Sequence, residues 1–363
     1  MSIRLRALFF VLMLIALFFG FLHLFGDAGQ YRFERLHVFL FNLCCGGTII
    51  LYFTEGRKTL SPRAALFLCL AVAYAVVAFF KFYMIAIALS LVLSAIVESY
   101  RIQVFSLFPF GFFRSGEPIS RKFHQASLLC LSLGLIIAAA VILNNKYIHL
   151  VHMPKLQLDV FFLGFSFPVS LITMSLIFSF INHDEGMTIR VLKEISFWAV
   201  NLGVIIFFVL IIFEQLPSQV GVTAVLFAAV VLIFFLYRQR GENIQQKHFL
   251  TSGMWFLLVT AVTGIAYIFA EITGSYTPEK YHWLLKVHSF ASLYGWNLCG
   301  LAVICRYNDF PIRLHAGRLI GFHWITVMVM APLGVYYRGA AVLCIACYAL
   351  LLWSIFFSKK TAS

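Results

Sequence analysis

The sequence predicts an all-α polytopic membrane protein of about twelve spanning helices, and three observations carry that prediction. Of the 363 residues, 62% are hydrophobic and 11% charged, with a mean hydropathy of +0.95; ordinary soluble domains have roughly 45–50% and about 25%. Apolar runs of about twenty residues, the length of helix that crosses a bilayer, follow one another along the whole chain. The ten-residue alternating segments of a membrane barrel are absent, so helices must satisfy the backbone in lipid. Finally, one short pattern recurs with a polar residue inside an apolar helix: His37-Val38-Phe39-Leu40-Phe41-Asn42, Asp159-Val160-Phe161-Phe162-Leu163-Gly164 and His288-Ser289-Phe290-Ala291-Ser292-Leu293. The spacings are 122 residues (37 to 159) and 129 residues (159 to 288), each near a third of the chain. A fixed period of that size marks one structural unit used three times.

The spans are taken in order. Span one, 7–26, follows Arg4 and Arg6 and is read as a retained helix, although Gly26-Asp27-Ala28 loosely resembles a cleavage site. Span two, 35–54, opens on His37. Spans three and four, 63–80 and 82–98, are the weakest division, marked only by Lys81 and Tyr83. The stretch 99–122 contains Phe108-Pro109-Phe110-Gly111-Phe112-Phe113, which suits an interfacial segment. Span five, 124–143, has a basic start at Arg121-Lys122. Span six, 158–181, carries Asp159 and then Pro168, which predicts a kink. Spans seven and eight, 194–213 and 219–237, part at Glu214-Gln215-Leu216-Pro217-Ser218. Spans nine to twelve, 250–270, 283–305, 318–335 and 339–357, complete three pseudo-repeats of four helices, 1–120, 121–246 and 247–363, in a single membrane domain.

Charge sets direction. With the N-terminus inside, nineteen lysines and arginines fall in inner segments and seven in outer ones, which predicts an N-in/C-in chain. The net charge of +13 then lies along the face opposite anionic headgroups. Without a basic soluble domain, a nucleic-acid role is excluded. The eight cysteines all lie in or beside apolar spans and read as small hydrophobes, Cys344-Ile345-Ala346-Cys347 included. His149 and His152 read as loop residues, and Glu271, Glu279 and His282 as a solvated loop before span ten. His315 and His323 flank the inner end of span eleven, and His124 and His248 read as interfacial anchors.

Ionisable residues in lipid are costly and mark function by default. His37, Asp159 and His288 each stand in the first turns of spans that run the same way, which predicts similar depth in the outer leaflet. Two imidazoles on facing helices are a usual way to hold a haem iron axially, and Gly46, Gly47 and Gly295 offer room for a flat macrocycle. Helix packing explains the same glycines. Lys286 projects from another face of the His288 helix and is expected to pair with Asp159.

Twelve helices, threefold repetition and histidines in spans two and ten resemble the main subunit of the haem-copper oxidase superfamily. The resemblance implies a low-spin haem held by His37 and His288. It implies a propionate contact from Arg338, in the loop between spans eleven and twelve. Lys286-Val287-His288 stands where the family has an H-x-H pair, and span six offers Asp159 in place of a copper ligand. The binuclear centre, and with it oxygen or nitric oxide reduction, is therefore expected to be absent. The NnrS family of twelve-span haem proteins is similar in size and also has a histidine near the start of a late span.

The expectation is a b-type cytochrome-like protein with one bis-histidine haem b near the outer face of a bacterial or archaeal inner membrane. Arg338, and secondarily Arg35, would neutralise its propionates. Since one haem cannot carry electrons across a bilayer, a partner cytochrome or quinone, and a larger complex, are expected. A transporter or lipid-handling protein, or a cofactor-free scaffold subunit, is the alternative.

Overall fold

A computed structural model describes residues 1–26, 33–151, 156, 164–181, 186–242, 244, 246–311 and 317–358. Twelve helices follow one another: α1 Ile3–Phe21, α2 33–55, α3 Pro62–Phe79, α4 Tyr83–Val104, α5 Ile119–Leu143, α6 Gly164–Ser179, α7 Met187–Ile212, α8 Leu216–Arg240, α9 Gln246–Ile272, α10 278–305, α11 317–334 and α12 Arg338–Phe357. Among the described residues, ten helical segments are long and apolar enough to cross a membrane by length and composition. The chain is an all-α, multi-pass membrane protein.

Local chemistry ends the helices where the sequence punctuates them. Ser61 caps α3, its hydroxyl accepting from the Ala64 amide at 3.1 Å, and Pro62 takes the first helical position, where a missing N–H costs nothing. Gly56 closes α2 in the left-handed region at φ 62°. The faint division between the third and fourth helices is a tight reversal with Lys81 itself left-handed at φ 66°, held by bonds from the Phe80 and Phe82 amides back to Val76 and Val77.

Helix ends gather at two poles. At one, here the basic end, Arg6 of α1 reaches the last turn of α12, donating to the Phe356 carbonyl at 3.0 Å, and lies 3.3 Å from Asp309. Arg306, buried after α10, donates to the Ile355, Phe356 and Ser358 carbonyls at 3.0–3.1 Å and pairs with Asp309 at 3.0 Å. These bonds satisfy carbonyls that a helix C-terminus leaves open and tie the first and last helices to α10. Lys122 of α5, also buried, pairs with Glu194 of α7 at 2.6 Å. Glu55, Ser61 and Tyr100 join α2, α3 and α4. His124 is no surface anchor: it bonds Thr54 at 2.8 Å and packs between Phe53 and Phe105. At the opposite end Phe21 meets Phe290, and His282 meets Tyr336.

In the middle, α2, α6 and α10 are the most enclosed helices. From Phe39 to Leu51 and from Leu293 to Cys305, every residue is buried. Their contacts are backbone-close. A Cβ on Gly46 of α2 would stand 2.6 Å from Val169 of α6, and one on Gly300 of α10 would run into Thr173 of α6. Gly134 of α5 and Gly164 of α6 touch backbone to backbone, the close approach that small residues permit in membranes. Gly134→Val is expected to destabilise the detergent-solubilised protein by several kcal/mol through overpacking, read as a lowered thermal midpoint. Gly116→Val, at an open loop position with nothing within 4 Å, is expected to leave it unchanged.

Candidate functional site

The three central helices share a departure from regular α geometry. Each contains a π-helical stretch: Phe39–Gly47 in α2, residues 164–166 at the start of α6, and Ala291–Asn297 in α10. Such stretches cluster at functional sites. A π turn displaces carbonyls from the regular ladder, and here one is taken up from outside. His323 of α11, fully buried and stacked against Phe249 and Phe256, donates from Nε2 to the Tyr294 carbonyl at 2.7 Å.

The π stretches bring together a hub of amides and hydroxyls. Asn297 donates from Nδ2 to Ser166 Oγ at 3.2 Å and, at 3.4 Å, to Asn42 Oδ1. Its own Oδ1 accepts from Ser170 at 3.1 Å, and the Trp296 indole donates to the Ser170 hydroxyl at 2.9 Å. Asn42, Trp296 and Asn297 are fully buried. Buried polar groups hold their place only when bonded, so α2, α6 and α10 are registered on one another here. Asn42-Leu43-Cys44 and Asn297-Leu298-Cys299 are the same tripeptide. That repetition is the signal from which the hub was readable, and it went unused in the sequence reading.

His37 precedes Asn42 by five residues and His288 precedes Asn297 by nine. Both histidines are half-buried as residues, with the ring nitrogens of His37 buried, and each ring rests on the helix that precedes its own. On α1, a Cβ added to Gly20 would lie 2.7 Å from His37 Nδ1; on α9, one added to Gly264 would lie 3.4 Å from His288 Cε1 and 3.7 Å from Nδ1. In both rings the Nδ1–Cε1 edge faces the glycine. The His288 Nδ1 lies 3.2 Å from the Thr263 hydroxyl. Across from His37 stands Tyr294 of α10, ring centroids 6.0 Å apart, which also packs on Phe41, Phe290 and Tyr348. Phe21, Phe290 and Tyr294 form a chain of aromatic contacts that reaches His37 through Tyr294.

The remaining predicted residues fall as follows. Arg35 is exposed, two residues before His37; Arg338 is exposed at the first position of α12; Lys286 is half-buried on α10. Asp159, with the ion pair expected between it and Lys286, lies outside the described residues, as do Arg32, His152 and His315. The glycines assigned to a macrocycle serve helix packing instead: Gly46 meets Val169, Gly47 meets Phe67 of α3, and Gly295 meets Phe256 of α9. The glycines that abut the imidazoles, Gly20 and Gly264, belong to the neighbouring helices. Among the described residues, no group of three or more His, Cys, Asp or Glu side chains is placed to hold a metal ion.

Asn297→Ala leaves Asn42 Oδ1, Ser166 and Ser170 without this buried partner and is expected to cost about 1–3 kcal/mol, read by thermal denaturation in detergent. Combined with Asn42→Ala, the loss is expected to fall short of the sum of the single losses, since the two amides share one bond. Comparisons with family models, with curated proteins and with solved structures returned no match to this chain.

Proposed function

We propose that the chain is a b-type cytochrome-like membrane protein in which His37 and His288 hold one haem b between α2 and α10. The reading rests on one observation: both imidazoles seat their Nδ1–Cε1 edge on a glycine of the preceding helix. Thr263 at the His288 Nδ1 is the kind of second partner that fixes ring orientation in a ligating histidine. The donor set fits a bis-histidine group, and the surrounding Phe and Tyr rings suit its apolar faces.

Bound there, such a group supplies one-electron exchange, because two axial histidines leave no open position for a substrate. The chain's own residues orient the ligands and exclude water. Arg338, and Arg35 less directly, stand at the same end of the bundle as the histidines, where propionate charge needs a cation. In this proposal the protein lies in an inner membrane with its basic end on the cytoplasmic side. The three pseudo-repeats converge on the hub, and a partner cytochrome or quinone in a larger assembly completes the electron path.

The test is a reduced-minus-oxidised absorption spectrum of protein expressed with haem supplied. Sharp low-spin bands are expected, and His37→Ala and His288→Ala should each abolish them while the protein still purifies as folded helix. Thr263→Ala should keep the bands but weaken haem retention about 10–100-fold. A flat spectrum from the unmodified chain refutes the reading.

A further inference from the structure

One bond of the regular ladder is missing from α10. In an α-helix the Leu298 amide would donate four residues back, to Tyr294. Here it donates to Leu293, five residues back, and to Gly295, and passes over the Tyr294 carbonyl. A carbonyl left out of the ladder within a membrane core needs another donor. His323 of α11 supplies it, with Nε2 at 2.7 Å. A carbonyl oxygen only accepts, so Nε2 carries the proton. Nδ1 is buried without a partner and keeps its lone pair, since a second proton there would be an unpaired charge in lipid.

Neighbours fix the imidazole. The ring is fully buried, with centroids 5.9 Å from Phe249 and 4.9 Å from Phe256. Phe256 stacks on Trp324 at 4.0 Å and 11°, and the Trp324 indole donates to Ser252 of α9 at 2.9 Å. The same Phe256 fills the space beside Gly295, where a Cβ would stand 2.4 Å from its ring. This wedge of α9 and α11 residues therefore meets the π turn twice. Phe256 packs on the glycine inside the turn, and His323 takes the carbonyl that the turn expels. His288 lies six residues before Tyr294 on the same helix.

We propose that His323 is a positioning residue for His288. It holds the Tyr294 carbonyl out of the ladder, keeps α10 in its π turn, and so fixes the plane in which the His288 ring is presented. Returning α10 to a regular helix would swing His288 off Gly264 and Thr263, which it meets on α9. The consequence for α10 stands on this geometry alone. The consequence for iron rests on the bis-histidine reading.

Two variants separate the bond from the packing. His323→Phe keeps an aromatic ring against Phe249 and Phe256 and removes the donor; His323→Gln restores an N–H donor without the ring. Circular dichroism and gel filtration confirm that each is folded. A cross-link reads α10 without haem. In a full-length Gly264→Cys/His288→Cys protein, a short bifunctional thiol reagent should join the two positions, as mapped by mass spectrometry. Adding His323→Phe should abolish the link, and adding His323→Gln should keep it. Electron paramagnetic resonance of the haem-loaded, oxidised protein reads the ring plane, because the largest g value of a ferric bis-histidine haem follows the angle between its two imidazoles. His323→Phe should keep the low-spin bands, shift that g value and the reduction potential, and weaken haem retention about tenfold. His323→Gln should return all three toward the unmodified values. A link that persists in His323→Phe overturns the proposal. A link that is lost while the g value and potential stay put overturns its extension to the iron. Absence of low-spin bands in the unmodified chain removes the haem reading alone, and the cross-link still decides the role of His323 in α10.

Discussion

One amide holds the centre of this molecule. Asn297 bonds to α2 through Asn42 and to α6 through Ser166 and Ser170, in surroundings where no water competes. Between membrane helices there is little hydrophobic drive, since lipid tails are as apolar as leucine side chains. Register must come from packing shape and from polar groups that are satisfied in one arrangement only. The glycine contacts supply the shape, and the amide supplies the arrangement. Sliding α10 by one turn would drive Gly300 off Thr173 and leave the Asn297 donors facing hydrocarbon.

A second constraint acts at the basic end. Arg306, Lys122 and Arg101 are all buried cations, and each meets a carboxylate or carbonyl oxygens at 2.6–3.1 Å. A buried charge persists only when so paired. The positive excess that predicts cytoplasmic loops thus has a second job, holding helix ends in place, and one such contact, Arg6 to Phe356 and Asp309, joins the first and last thirds of the chain. Arg306 shows both. It follows α10 at the membrane boundary, yet its guanidinium ends α12 rather than facing headgroups.

Hydropathy made the helices legible. All twelve expected spans have helical counterparts, and even the weak division at Lys81 and Tyr83 is a real turn. Breaks carried by Pro217 and Ser61-Pro62 left chemical marks that composition preserves. The π stretches left none, because a π turn inserts a residue without changing apolar character. The hub that registers α2 on α10 lies further in than the histidines, at Asn42 and Asn297. Of the two uses open to the glycines, packing has contacts to show: a sequence says that Gly295 is small, and the fold puts Phe256 in the space beside it. The residues that touch the imidazoles, Gly20, Thr263 and Gly264, sit on helices the pattern did not mark.

Tyr294, three residues before Asn297, stands between the hub and His37. Its ring stands against His37, and its carbonyl, displaced by the π turn, accepts from His323. Regularising α10 would return that carbonyl to the helix ladder and rotate everything toward the N-terminus, His288 included, by roughly a hundred degrees about the helix axis for each residue removed. The direction in which His288 points is therefore set by the π turn, and the π turn is held by a histidine of the next helix, α11. An imidazole on a helix end in lipid is costly to place and hard to aim. Here the aim comes from the irregular stretch beneath it, with Gly264 giving the ring room and Thr263 fixing its Nδ1 edge.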